Sequence, residues 1–159
     1  MMIKVLFICH CNICRSPMAE FVMKDIVKRE GLEDRFHIES AATHTDQIWD
    51  GVGDPVYPPA RKELARHGIG CEGKTARLLT KKDYEKFDFL IGMDEANIKN
   101  IHKITGRKAS DKVSLLLQYA GENRNISDPW YTGDFEATWD DVKKGCEALF
   151  EYFRREGKI

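Results

Sequence analysis

Ile3-Lys4-Val5-Leu6-Phe7-Ile8-Cys9-His10-Cys11-Asn12-Ile13-Cys14-Arg15-Ser16-Pro17, near the start of a 159-residue chain, decides the architecture. Residues 3–8 are β-rich and apolar apart from Lys4, the pattern of a strand covered on both faces in a parallel sheet. The run stops at Cys9 and a helix signal follows. Ser16 reads as its N-cap, Pro17 suits the first helical position, and Glu20 is an acid placed to favour the first turn. Met18, Phe21, Val22 and Ile26 make one apolar face, and Gly31 closes the helix. The chain therefore opens as strand, eight-residue loop, helix.

The same alternation continues. Phe36 to Ala41 reads as a second strand, and a loop from about 42 to 58 carries Trp49. A short helix over 59–67 is closed by Gly68. Thr80 and Asp83 start another helix, and 87–91 is a third strand. Asp94 caps a helix that Gly106 ends, and Val113 to Leu117 is a short fourth strand. A polar loop then runs to about 134. Val142, Cys146, Leu149, Phe150 and Phe153 stripe the closing helix, with Trp139 in the core. Strands alternating with helices mean βαβ units, hence an α/β fold with a parallel sheet.

Function concentrates in residues 9–16. A loop between a parallel strand and a helix N-terminus is where open α/β sheets bind ligands. Its successive amides form an anion nest, and the helix dipole adds partial positive charge. Arg15 brings a planar, permanently charged fork matched to phosphate oxygens. Cys9, at the loop's start, lies beneath that anion, where the same field favours the nucleophilic thiolate. One loop thus holds both a nucleophile and a phosphate cradle. Alone, Cys-x5-Arg is a weak pattern, but between an apolar strand and a Ser-Pro helix start it is a strong one.

Two other uses of these cysteines fit less well. Structural zinc sites usually pair two separated knuckles, and no second Cys-x-x-Cys or His-x-x-x-His lies downstream of Cys9, His10, Cys11 and Cys14. A thioredoxin-like pair at Cys11 and Cys14 would leave Arg15 and Ser16 without a task. No metal or other cofactor is expected.

Composition narrows the partners. Twenty-five Lys and Arg against 26 Asp and Glu leave a net charge of −1, so the global basic surface of a duplex-binding protein is absent. Residues 61–86 carry eight basic against four acidic side chains, and 120–141 six acids against one Arg, which read as solvated faces. No run approaches the roughly 18 apolar residues of a membrane span. Five cysteines, three of them crowded at 9, 11 and 14, suit a reducing compartment better than a secreted disulfide framework. A cytoplasmic protein with neither nucleic-acid nor membrane partner is expected.

The segment Cys9 to Pro17, continued by Met18-Ala19-Glu20, resembles the signature of low-molecular-weight protein tyrosine phosphatases. Ser40-Ala41-Ala42, Gly92-Met93-Asp94-Glu95-Ala96-Asn97 and Asp128-Pro129-Trp130-Tyr131 resemble further motifs of that family, in the expected order. The resemblance implies one domain over 1–159, with a four-stranded parallel sheet flanked by helices. It also implies hydrolysis of phosphotyrosine and aryl phosphates through a cysteinyl-phosphate, without metal, by a monomer or weak dimer. By position, Cys9 is then the nucleophile, Arg15 binds the phosphoryl group, and Asp128 is the general acid that expulsion of a phenolate needs. His10, Cys11, Asn12, Ile13, Cys14 and Ser16 form the binding loop, Asn12 and Ser16 holding its shape and supporting the thiolate. Trp130 and Tyr131 resemble one wall for the aromatic ring, and Trp49 or Ile48 the opposite wall.

The departures from the family pattern are specific. Cys11 stands where Gly is usual and His10 where an aliphatic residue is usual; an unusual backbone at position 11 would strain a Cys. A histidine that often supports the loop serine has no counterpart, and Gly73 or Lys74 occupies that region. His67 and His102 are left as helix-surface or helix-end residues. Arsenate reductases of this fold need two further central cysteines, and only Cys71 lies there. Arginine phosphatases carry Thr at the position of Ile13. A non-catalytic redox or phosphate-binding module would have no reason to keep Cys9, Arg15 and Asp128 together. Oxidant is expected to inactivate Cys9 reversibly through a disulfide with Cys14 or Cys11.

Overall fold

The computed structural model describes residues 1–107 and 110–159. Elements follow in the order β1 (Ile3–Cys9), α1 (Arg15–Arg29), β2 (Phe36–Ala42), β3 (Ile48–Trp49), β4 (Val52–Gly53) and α2 (Pro58–Arg66). Then come α3 (Lys81–Lys86), β5 (Phe89–Gly92), α4 (Glu95–Thr105), β6 (Val113–Leu115), α5 (Pro129–Thr132) and α6 (Phe135–Arg155). The main sheet is four-stranded and parallel, in the order β2-β1-β5-β6.

β1 is central, and its side chains obey the period of two that a doubly covered strand requires. Val5 and Phe7 enter the core beneath α1, α2 and α6, together with Met18, Leu64, Leu149 and Phe153. Leu6 and Ile8 face the other way, onto Leu79, Phe87, Leu90 and Ile101 beneath α3 and α4. All four residues are fully buried. From β1 the chain pairs first on one side, with β2, and later on the other, with β5. The loops leaving the C-terminal ends of β1 and β5 therefore flank the crevice in which sheets of this type bind ligands.

Several element expectations need correction. α1 begins at Arg15, its N-cap is Cys14, and no side chain caps it. Ser16 is not the cap because its hydroxyl is engaged with Cys9, and Glu20 lies beyond the first turn, which carries no acid. The loop over 42–58 contains the antiparallel hairpin β3–β4. Its turn is Asp50-Gly51, with φ of 49° and 77°, the left-handed pair a two-residue hairpin demands. β6 ends at Leu115; Leu116 and Leu117 turn into a 3-10 segment and bury themselves. The polar loop before 134 holds the short helix α5, capped by Asp128. Thr80 and Asp83 form the expected capping box of α3, and Asp94 caps α4.

Candidate active site

Residues 10–14 wrap the end of β1 and deliver Arg15 into the first turn of α1. Asn12 adopts φ 60°, so the left-handed residue of the loop is the asparagine, a type that tolerates it. Cys11 does not, and the strain expected at that position is absent.

Cys9 is buried. Ser16 Oγ lies 3.0 Å from its sulfur, and the Ser16 amide N–H donates to the sulfur at 3.4 Å. A buried polar chain behind Ser16 fixes which way its hydroxyl points. Asn12 Nδ2 donates to Ser16 Oγ at 2.8 Å and to Ser40 Oγ at 2.9 Å. Ser40 Oγ donates to Glu20 Oε1 at 2.6 Å. An ionised carboxylate only accepts, so Ser40 must donate to Glu20 and accept from Asn12. Asn12 Oδ1 accepts the Arg77 backbone N–H at 3.1 Å, which sets the amide orientation. Ser16 Oγ thus already accepts from Asn12 behind it, and its own proton is available to the Cys9 sulfur when that sulfur is a thiolate.

Glu20 is buried and held by Lys24 at 2.6 Å and Lys74 at 3.6 Å. Lys74 also donates to the Ser40 carbonyl at 2.8 Å. Burial pulls the Lys74 ammonium below its ordinary range, more than Glu20 restores it. Ser40, Glu20 and Lys74 received no site role from sequence, because three separate elements bring them together.

Arg15 is almost wholly buried, which opposes its charge; the Cys9 sulfur, the hydrogen bond to Asp94 and the charge on Asp128 outweigh that and hold it above its ordinary range. Its Nη1 donates to Asp94 Oδ2 at 2.7 Å and to the Ile126 carbonyl at 2.9 Å. Its Nη2 lies 3.4 Å from Asp128 Oδ2. Asp94 does two jobs: Oδ1 caps α4 through the Asn97 N–H and Oδ2 aims the guanidinium. Sequence found only the cap. Asp128 uses Oδ1 to accept the Trp130 N–H at 3.0 Å, leaving Oδ2 over the loop.

The cleft is lined by Cys9, His10, Cys11, Ile13, Cys14, Arg15, Asp128 and Trp130. Trp130 rests against Tyr57, with ring centroids 4.9 Å apart, and Tyr57 packs on Phe135. Tyr57 was missed; only its tertiary place reveals it. Ile48 packs against the Ile13–Cys14 side of the loop. Trp49 and Tyr131 are exposed and are not among the residues lining the cleft. A larger hollow around His67 and Trp139, whose rings stack at 3.7 Å, is lined by no cysteine or serine.

The neighbouring thiols differ from Cys9 in setting. Burial, then the charges on Cys9, Asp46 and Asp128, push Cys11 up to about 12 despite Arg15. Burial and the Cys9 charge push Cys14 up as well. Both are protonated at neutral pH. His10 Nε2 bonds Asp46 Oδ2 at 2.7 Å, and its ring stacks on His44 with centroids 3.9 Å apart. Among the described residues, the one group of His, Cys and acidic donors close enough to share a metal ion is His10, Cys11 and Asp46. No helix among them is long and apolar enough to cross a membrane.

Chemically, the cleft brings together a buried sulfur in contact with the Ser16 hydroxyl and amide, a guanidinium and a carboxyl group. A family model for low molecular weight phosphotyrosine protein phosphatases matches residues 4–159. The low molecular weight protein-tyrosine-phosphatase YfkJ of Bacillus subtilis is 36% identical across 99% of this chain and 100% of its own. The YfkJ crystal structure superposes with a TM-score of 0.92 at 35% identity, covering 98% of this chain and 97% of that one. The crystal structure of SP-PTP, the low molecular weight protein tyrosine phosphatase from Streptococcus pyogenes, gives a TM-score of 0.81 at 38% identity over 97% and 93% of the two chains.

Proposed function

Because the chain belongs to the low molecular weight phosphotyrosine protein phosphatase family, we propose that it hydrolyses phosphotyrosine with Cys9 as nucleophile, Arg15 as phosphoryl clamp and Asp128 as general acid. The amides of residues 10–15 and Arg15 receive the phosphoryl oxygens. The Cys9 thiolate attacks phosphorus, the S–P bond forms as the P–O(aryl) bond breaks, and Asp128 gives its proton to the departing phenolate. Water then attacks the cysteinyl-phosphate, Asp128 takes its proton, and the sulfur leaves as thiolate with Ser16 donating to it. Asn12, Ser40 and Glu20 hold that donor in place. Charge stabilisation by preorganised donors of this kind is commonly the largest catalytic contribution.

The observation that carries this reading is convergence. Asp128 and Asp94, from loops far along the chain, meet the guanidinium of Arg15 beside a sulfur that already has two donors. Ile13, with Trp130 braced by Tyr57, supplies apolar flanks for an aryl ring. His10, Cys11 and Cys14 complete the loop around it. In this reading Trp49 and Tyr131 meet the protein that carries the phosphotyrosine, from outside the cleft, and small aryl phosphates also serve as substrates. In this reading residues 1–159 act as one unit, a monomer or weak dimer in the cytoplasm.

The test is turnover of p-nitrophenyl phosphate by purified protein with and without EDTA. Activity should survive EDTA, and Cys9→Ser should abolish turnover while retaining vanadate binding. Loss of activity in EDTA, or substantial activity in the serine variant, overturns the mechanism.

A further inference from the structure

His10 and Cys11 depart from the usual pattern of the loop, and the fold brings a third polar group to them. The chain after β2 is clamped to the loop by two backbone bonds, Thr43 N–H to the Cys9 carbonyl at 3.0 Å and His44 N–H to the His10 carbonyl at 3.1 Å. That clamp sets Asp46 beside His10. The donor atoms of His10, Cys11 and Asp46 all lie within 4.8 Å of one another. Their side chains are open to water, His10 by 38% and Asp46 by 57%, so an ion can reach them.

Donors of a tetrahedral zinc site sit about 2.0–2.3 Å from the metal, hence roughly 3.3–3.8 Å apart. The His10–Asp46 pair, at 2.7 Å, must open by less than about an ångström, and the Cys11 sulfur, no more than 4.8 Å from either partner, must close by no more than about 1.5 Å. An imidazole, a thiolate and a carboxylate together favour borderline-soft ions over calcium or magnesium.

We propose that His10, Cys11 and Asp46 bind a divalent cation of the zinc class at the rim of the phosphate loop, and that occupancy reversibly inhibits the enzyme. On binding, Cys11 releases its thiol proton to solvent, and His10 gives up the Nε2 proton it shares with Asp46, which passes through solvent to Nδ1, so that the Nε2 lone pair takes the metal. Nothing is oxidised or reduced. Two of the three ligands line the cleft that holds Cys9 and Asp128. The bound ion therefore fixes the peptides of residues 10 and 11 and covers part of the phosphate's path. Local spacing could not show this site, since Asp46 lies 36 residues beyond His10.

The test uses Co²⁺ as a spectroscopic probe, in full-length protein carrying Cys9→Ser so that the nucleophile cannot bind it. This readout is independent of phosphatase activity. One equivalent should bind with a thiolate-to-cobalt charge-transfer band that Zn²⁺ displaces. Adding Cys11→Ser should remove the band, and adding Asp46→Asn should weaken binding at least about tenfold, the scale on which even outer ligand partners act. With Cys9 intact, Asp46→Asn should keep full basal activity and raise the Zn²⁺ concentration for half-inhibition at least about tenfold, with EDTA restoring activity in both proteins. A band absent from the Cys9→Ser protein, a band surviving Cys11→Ser, or equal Zn²⁺ inhibition of wild type and Asp46→Asn overturns the proposal.

Discussion

Replacing Ser16 by Ala removes one hydroxyl and leaves the rest of the cradle. The Ser16 oxygen lies 3.0 Å from the Cys9 sulfur, while the backbone donor at 3.4 Å and Arg15 are untouched. A hydrogen bond to a charged group contributes about 1.5–3 kcal/mol, so losing it should cost roughly 10–150-fold in rate. The loss should fall on the step in which sulfur is the leaving group, because a sulfur deprived of that donor departs less readily. Stopped-flow turnover of p-nitrophenyl phosphate should then show a burst approaching one equivalent of phenolate, followed by slow steady-state release. Asn12→Asp is the companion variant. Its carboxylate keeps the shape and tolerates the left-handed backbone, but it can only accept, so the Ser16 proton is drawn away from Cys9. It should lose at least as much as Ser16→Ala. Unchanged kcat in both variants, or an equal loss in both steps with raised KM and no burst, would refute the relay from Glu20 to Cys9 and leave Ser16 as a loop fastener.

Asp128→Asn keeps the oxygen that accepts the Trp130 N–H and should cost about 10²–10⁴-fold on substrates with poor leaving groups. The deficit should shrink as the leaving phenol becomes more acidic, and a flat leaving-group series would remove Asp128 from the chemistry. Glu39 is held down to about 2: burial opposes this, but hydrogen bonds from His37 and Lys86 and the charge of Arg77 outweigh it. A depressed carboxyl stabilises the fold above its ordinary range and loses that contribution as pH falls toward about 2. Glu39→Gln should therefore cost ~1–2 kcal/mol near neutral pH, after discounting for its partial exposure, and nothing near pH 2. Urea titrations across that window check this, and a deficit that persists in acid contradicts it. A Cβ on Gly53 would lie 1.8 Å from the Ala76 carbonyl oxygen and 2.7 Å from its carbon, both backbone atoms that cannot turn aside. Gly53→Ala should lower stability by about 1–3 kcal/mol, read as a shift of the urea midpoint, and an unshifted midpoint would mean the hairpin yields freely.

The order of elements was legible because each signal is local. The apolar run of β1, the capping box at Thr80 and Asp83, the Asp94 cap and the left-handed Gly31, Gly68 and Gly106 act within a few residues of where they stand. The errors arose where a side chain had a better partner elsewhere. Ser16 looks like a cap because a serine before a proline usually is one, yet its hydroxyl serves a sulfur seven residues earlier in the chain. Glu20 looks like a dipole acid and is instead the buried anchor of a polar chain. The β3–β4 hairpin had its own signal, Trp49-Asp50-Gly51-Val52, an Asp-Gly turn between apolar residues. With strands of two residues, the surrounding composition masked it.

The site divides along the same line. That a cysteine, an arginine and a helix start meet in residues 9–16 was readable, since they lie together in sequence as in space, but the work of Asn12 and Ser16 came only with the resemblance. Asp128 became visible only through a resemblance, because a single Asp-Pro is by itself an ordinary turn. Asp94, Ser40, Lys74, Tyr57 and Asp46 had no such cue, and each reaches the loop through the pairing of β1 with its neighbours or the packing around α1. Their dependence on the fold has a physical consequence. In the proposed mechanism the loop supplies the acceptor of the phosphoryl group, while hydrogen bonds from Glu20 through Ser40 and Asn12 orient Ser16, and Asp94 aims Arg15. Chemistry written in eight consecutive residues is thus poised by groups as far along the chain as Ser40 and Asp94. Substitutions at Glu20 and Ser40 should change the rate of the second step, and those at Asp94 the placement of the guanidinium, while every residue of the loop remains in place.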